Sequence, residues 1–229
     1  MTAREALASR RAPLGLVIFD CDGVLVDSEP LANRVTAEFI TAAGWPLTGA
    51  ECEARFVGLN LEAMMPVIEA ELGHPLPSGW VAGLTARLVT VLARESTPIA
   101  GAIAALNGVT ALGLPWRVAS NSSHAEMNAK FACIGLSDRV AGLLHSYTDV
   151  RAGKPAPDLF LATAATQPME PAHCVVIEDS ATGARAAAAA GMQCLGYAPH
   201  GDGARLRAEG AHIFNNMAEL PALLAVAPR

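Results

Sequence analysis

Residues 16–29 read Leu16-Val17-Ile18-Phe19-Asp20-Cys21-Asp22-Gly23-Val24-Leu25-Val26-Asp27-Ser28-Glu29. Four apolar residues, rich in β-branching, predict a buried strand that runs straight into two acids. A buried strand has no structural use for an Asp at its end, and none for two. Side chains at i and i+2 of an extended chain share a side, so Asp20 and Asp22 face one way and Cys21 the other. Gly23 follows, where the chain can turn tightly or let something approach the backbone. Two carboxylates held close repel, so they share a proton or share a cation. That suits a nucleophile beside a general acid, or a divalent metal site. An Asp-Gly turn between two strands explains Asp22-Gly23 but leaves Asp20 idle. The catalytic reading therefore ranks above it.

The rest of the composition bounds the class. A chain of 229 residues is long for one domain and short for two full ones. With 52% hydrophobic and 17% charged residues, it is globular rather than disordered. A net charge of −6 argues against a general grip on nucleic acid. It leaves room for a phosphorylated substrate, because a metal ion can supply positive charge locally. The five cysteines form no Cys-x-x-Cys pair, and several sit in apolar runs. Buried thiols in a reducing, cytoplasmic compartment are expected. No apolar run approaches membrane-spanning length. Met1 to Pro13 lacks the apolar middle of a secretory signal and is expected to be a loose, exposed start.

After Glu29 the pattern turns helical. Pro30–Ala43 opens on Pro and closes at Gly44. Ala50–Phe56, Leu61–Leu72 and Trp80–Arg94 follow, with no convincing strand between residues 30 and 96. From Thr97 onward strands and helices alternate. Strands are expected at Trp116–Ser120, Leu143–His145, Cys174–Glu178, Gln193–Tyr197 and His212–Phe214. Alternation of this kind predicts an α/β fold, a parallel sheet with helices on both faces. Residues 12–28 and 97–229 would form this core, and residues 29–96 an inserted all-α unit.

In such a sheet ligands bind at the carboxyl ends of the strands. The first end carries Asp20 and Asp22. Ser120-Asn121-Ser122-Ser123 leads from a strand into a helix, as at an anion site, although one of these serines could be a plain N-cap. Gly153-Lys154-Pro155-Ala156-Pro157-Asp158 fixes a lysine that could pair with a carboxylate or a phosphate, or could be a solvated loop residue. Val175-Val176-Ile177 ends in Glu178-Asp179-Ser180. The set fits Mg²⁺ and phosphoryl transfer. In the helical unit, Arg55, Gly58 and Asn60 belong to a loop that could lean over Asp20 and meet substrate. His124 is a weaker candidate.

Asp-Cys-Asp-Gly-Val, Ser120, Gly153-Lys154-Pro155 and Glu178-Asp179-Ser180, in this order, resemble the four motifs of the haloacid dehalogenase-like hydrolase superfamily, and most of all its beta-phosphoglucomutase-like branch. The resemblance implies a Rossmann-like core with a helical cap inserted after the first motif. It implies that Asp20 attacks phosphorus and becomes an aspartyl phosphate, while Asp22 serves as acid and then base. Ser120 and Lys154 would hold the phosphoryl oxygens, with Asn121 and Ser122 beside them on the substrate. Mg²⁺ would be bound by Asp20, the Asp22 backbone carbonyl and Asp179, with Glu178 direct or through water. The mutases of this branch carry a His near the place of Ala32 and a cap Arg near that of Leu61. Neither is present here. The cap also contains no Lys between residues 30 and 96, which argues against phosphonate cleavage through a Schiff base. The expected activity is a Mg²⁺-dependent phosphatase acting as a monomer on a small sugar or polyol phosphate, with no nucleic-acid or membrane partner. The alternatives are a hexose-phosphate mutase and, from another class, a phospho-acceptor signalling domain, which is much shorter and has no such insertion.

Overall fold

The computed structural model describes residues 1–56 and 61–228. Helix α1 (Ala3–Ala8) precedes strand β1 (Leu16–Phe19), and a short strand β2 (Val26–Asp27) follows. Four helices come next: α2 (Glu29–Ala43), α3 (Gly49–Phe56), α4 (Leu61–Leu72) and α5 (Trp80–Glu95). Strand β3 (Thr97–Pro98) and helix α6 (Ala102–Ala111) lead into β4 (Trp116–Ser120), α7 (His124–Cys133), α8 (Ser137–Val140) and β5 (Leu144–Ser146). The chain continues through α9 (Asp158–Ala165), β6 (Cys174–Glu178), α10 (Ala181–Ala189) and β7 (Gln193–Tyr197). It ends with α11 (Ala204–Ala208), β8 (His212–Phe214) and α12 (Leu220–Leu224).

Six strands form one parallel sheet in the order β5-β4-β1-β6-β7-β8. β1 lies inside it, between β4 and β6, so Phe19 is in register with both Val118 and Ile177. The two halves of the sheet extend in opposite directions from β1. That reversal leaves a crevice at the carboxyl ends of β1, β4 and β6, where α/β sheets bind ligands. All four β1 side chains are buried. Val17 and Phe19 join one apolar cluster with Leu106, Val118 and Phe131. Leu16 and Ile18 join the opposite one with Phe160, Val176 and Ala187. A strand covered on both faces has to be apolar throughout, as this one is.

Helices α2 to α5 share a third apolar cluster, which includes Val35, Ile68, Leu84 and Leu92. Ala129 of α7 belongs to it too, so α5 and α7 pack across the seam between the helices and the sheet layer. Where the chain leaves and re-enters the sheet layer, β2 and β3 pair antiparallel through Val26↔Pro98 and Asp27↔Thr97. This two-stranded ribbon ties together the two chain segments that flank the helices.

The start of the chain departs from the reading as a loose segment. Thr2 and Glu5 form a reciprocal capping box, and Ala3, Ala6 and Leu7 are buried. The Arg10 guanidinium donates to the Ala172 carbonyl at 2.6 Å and to Gln193 Oε1 at 2.6 Å. The alanines that look featureless in sequence form the buried face of a short helix. Among the described residues, no helix is long and apolar enough to cross a membrane.

Phe131 of α7 is fully buried in the sheet cluster. Phe131→Ala should cost about 3–5 kcal/mol of stability. A urea denaturation midpoint that does not move would contradict this packing.

Candidate active site

The acids sit where the backbone leaves the sheet. The Asp20 amide still donates to the Ile177 carbonyl at 2.9 Å, so strand pairing fixes the residue's position. Cys21 turns into the core and is fully buried. Gly23 then takes a left-handed conformation (φ 72°), and its amide bonds the Val26 carbonyl. A Cβ at Gly23 would stand 1.9 Å from Asp179 Oδ2. Only glycine satisfies both the turn and that approach.

Asp20 and Asp22 each have their own lysine. Lys154 Nζ is 2.7 Å from Asp20 Oδ1 and 2.7 Å from Glu178 Oε1, and its ammonium also lies over the Phe160 ring at 4.8 Å. Lys154 is buried, so the solvated-loop alternative does not hold. Asn121 fixes it in place. Its amide oxygen accepts from the Lys154 amide and its amide nitrogen donates to the Lys154 carbonyl, both at 2.9 Å. The Asn121 amide group is thus spent on the Lys154 main chain.

Asp22 is surrounded by donors. Lys130 Nζ is 2.5 Å from Oδ1, and the Ser28 hydroxyl donates to the same oxygen. Ser120 and Ser122 donate to Oδ2 at 3.1 and 2.8 Å. Lys130 also donates to Ser122 Oγ at 2.7 Å. Ser123 is the plain N-cap of α7, with Glu126 completing a capping box. One of the four polar residues of that turn therefore does the capping, and two others turn to Asp22.

Glu178 is fully buried at the end of β6. Its Oε2 accepts from the Asp179 amide, the Ser180 amide and the Ser180 hydroxyl, while Oε1 faces Lys154. A Cβ at Gly183 would lie 1.8 Å from Glu178 Oε1, so the first turn of α10 leaves room for this carboxylate. Oxygens of Asp20, Glu178 and Asp179 all lie within 4.8 Å of one another.

Electrostatics separate the acids. Burial pushes the Asp20 carboxyl up to about 7. Lys154 pulls against that shift, and Glu178 and Asp22 add to it. Burial, with Glu178 and Asp20 as like charges, also holds Asp179 well above the ordinary range. Asp22 goes the other way. Its burial is outweighed by Lys130 and by the Ser28 and Ser122 hydroxyls, which bring it down to about 2. Both lysines are raised, because their carboxylate partners outweigh burial.

Three carboxylates therefore crowd around one ammonium, and two of them resist ionisation there. An all-oxygen, net-negative donor set of this kind fits a hard divalent cation.

Sequence reasoning missed Lys130. Its side chain is only 3% exposed. Met127, Lys130, Phe131 and Ile134 follow helical spacing, and that spacing was the available signal for a lysine on a buried face. Among the described contacts, exposed Arg55 stacks on the Trp45 ring at 5.2 Å and reaches none of the acids. Gly58 and Asn60 lie outside the described residues. His124 is an exposed partner of Asp149 at 2.8 Å.

The chain is similar to several known proteins. The chain is 27% identical over 208 residues to the 6-phosphogluconate phosphatase of Escherichia coli, covering 90% of this chain and 93% of that protein. It is 29% identical over 200 residues to hexitol phosphatase A of the same organism, covering 82% and 85%. A haloacid dehalogenase-like protein of unknown function from Agrobacterium tumefaciens superposes with a TM-score of 0.78 at 34% identity, over 93% of this chain and 98% of that one. A hydrolase from Deinococcus radiodurans, solved with bound phosphate and sodium, superposes at 0.75 with 30% identity, over 95% and 100%. The model of the haloacid dehalogenase-like hydrolases matches residues 14–191, and the chain belongs to that family.

Proposed function

We propose that the protein is a phosphatase that hydrolyses a small sugar or polyol phosphate through an aspartyl phosphate on Asp20. The observation that carries this reading is Asp20 itself, a carboxylate fixed by strand pairing and held by Lys154 at 2.7 Å beside two further acids. Lys154 favours the anionic, nucleophilic form of Asp20. Ser120 and Ser122 stand on the other side of the crevice, with hydroxyls able to turn from Asp22 to a phosphoryl oxygen. Relatives named as phosphatases of 6-phosphogluconate and of hexitols support the substrate class.

In the first half of the proposed cycle an Asp20 oxygen bonds to phosphorus as the bond to the alcohol oxygen breaks. The alcohol leaves with a proton passed by Asp22. At rest Asp22 is ionised, so it must first receive that proton. A phosphate monoester, with a second pKa of about 6, carries one in part of its population. In the second half Asp22, again a carboxylate, takes a proton from water. The water oxygen bonds to phosphorus, the bond to Asp20 breaks, and phosphate is released. Asp20, Glu178, Asp179 and the Asp22 backbone carbonyl would hold Mg²⁺. When bound, the ion neutralises charge on the phosphoryl oxygens. The helices from residue 29 to 96 would act as a cap that shields the crevice from water.

The mutase alternative lacks support from the crevice. Ala32 faces the cavity beside Asp22 and has no group that could transfer a proton. Leu61 packs with the apolar cluster of the helical layer.

Asp20→Asn keeps the size and removes the anion, and should lower phosphate release at least ~10³-fold, because the covalent route disappears. Near-native turnover in this variant would end the assignment. Given β-glucose 1-phosphate and a trace of the 1,6-bisphosphate, the enzyme should release inorganic phosphate or leave the sugar untouched. Efficient conversion to glucose 6-phosphate without phosphate release would favour the mutase.

Asp20 binds its proton more tightly in the folded state than in the unfolded one. Its contribution to stability is therefore complete below about pH 4 and is lost as the pH rises towards 7. In chelator, the melting temperature should fall between pH 5 and pH 8. Millimolar Mg²⁺ should raise it more at pH 8 than at pH 5, because ionised acids bind the ion. A melting temperature indifferent to Mg²⁺ at pH 8 would contradict the proposed ligand set.

A further inference from the structure

A cavity of about 140 Å³ lies against Asp22, walled by the start of α2, by Leu88 and Leu92 of α5, and by α7. It is small beside the roughly 300–1,000 Å³ of typical small-molecule sites. In the reaction proposed above, Asp22 faces the oxygen of the departing alcohol. Whatever that oxygen carries extends away from phosphorus, and this cavity, which Asp22 lines, would receive it.

The charges lining the cavity do not balance. Lys130 is its cation, and Lys130 already sits 2.5 Å from Asp22 Oδ1 and 2.7 Å from Ser122 Oγ. Its charge is cancelled where it stands. Glu126 lines the cavity with its carboxylate engaged by the Ser123 amide and hydroxyl. Glu29 lines it with no hydrogen-bond or ion-pair partner for its carboxylate among the described residues. Three acids thus face one lysine. A hydroxyl entering this space can donate to Glu29, whereas a carboxylate or second phosphate meets an unpaired like charge.

We propose that Glu29 is a specificity-determining residue, through which the cavity selects phosphate esters of short, uncharged polyols or sugars and rejects esters whose leaving group is itself an anion. The proposal rests on the phosphatase reading. It also divides the functions named among the relatives, since a hexitol is neutral and 6-phosphogluconate carries a carboxylate. The rival arrangement has Asp22 swing towards the phosphoryl group and free Lys130 to receive that carboxylate. A third possibility gives Glu29 only a helical role, as a first-turn acid that complements the α2 dipole.

The experiment compares kcat/KM within matched pairs, 2-hydroxyethyl phosphate against 2-phosphoglycolate and sorbitol 6-phosphate against 6-phosphogluconate. 4-Nitrophenyl phosphate serves as a common reference. The neutral member of each pair should be favoured at least ~10-fold, and added salt should narrow the gap because part of the cavity is open to solvent. Glu29→Gln should shrink the ratio to about threefold or less by improving the acidic members, and Glu29→Lys should reverse it. A wild-type preference for the acidic esters that Lys130→Met removes would overturn the proposal in favour of the rival. A ratio that neither Glu29 variant moves would leave Glu29 only its helical role, and would also overturn it. Failure to hydrolyse any ester, 4-nitrophenyl phosphate included, would instead remove the phosphatase reading on which the proposal stands.

Discussion

A single buried ammonium holds the crevice together. Lys154 bridges Asp20, just after β1, and Glu178, at the end of β6, two buried carboxylates at neighbouring strand ends. Taking a lysine out of water costs several kcal/mol unless it is well paired. Here two carboxylates pair it, and Asn121 fixes its backbone from the end of β4. Three neighbouring strand ends are thereby tied to one charge. Removing that charge would leave two buried acids facing each other, so the position of Asp20 and its ionisation depend on the same contact.

The second lysine gives Asp22 a different character. Both acids follow one strand, yet one is pushed up and the other held down. Environment separates them, in the way that paired carboxylates elsewhere acquire separate acid and base tasks. Asp20 lies at the crowded end with Glu178 and Asp179. Asp22 lies among hydroxyls and Lys130 on the side facing the helical layer. The α5–α7 seam, with Ala129 packed into the helical cluster, sets the height at which Lys130 emerges beside Asp22.

Much of this was legible in the residues, because strand ends in a parallel sheet are read directly from where an apolar run stops. Asp20, Ser120, Lys154 and Glu178 each follow or flank such a stop, and the β4, β6, β7 and β8 runs are the strands observed. Less was legible where partners are distant in sequence. Lys130 meets Asp22 across 108 residues, and nothing local marks that contact apart from the lysine's place on an apolar helical face. Asn121 looked available to a ligand because its engagement with Lys154 spans 33 residues. The β2–β3 ribbon has two residues per strand, too short for any periodicity to show. Helix α1 hid in a run of alanines whose burial depends on surfaces made much later in the chain.

Gly23 and Gly183 contribute to the crevice only by what they lack. A methyl group on the first would overlap the Asp179 carboxylate, and one on the second would overlap that of Glu178. Neither residue carries chemistry, and neither would be chosen as a catalytic candidate. In a saturation mutagenesis map of this chain, both should nonetheless appear as intolerant as the acids they adjoin. Their intolerance would differ in kind, growing with side-chain volume and indifferent to charge. A design effort that sought to stiffen the loop after β1 or the start of α10 by replacing glycine with alanine would destroy the space the acids occupy, and at Gly23, with its φ of 72°, would strain the backbone as well.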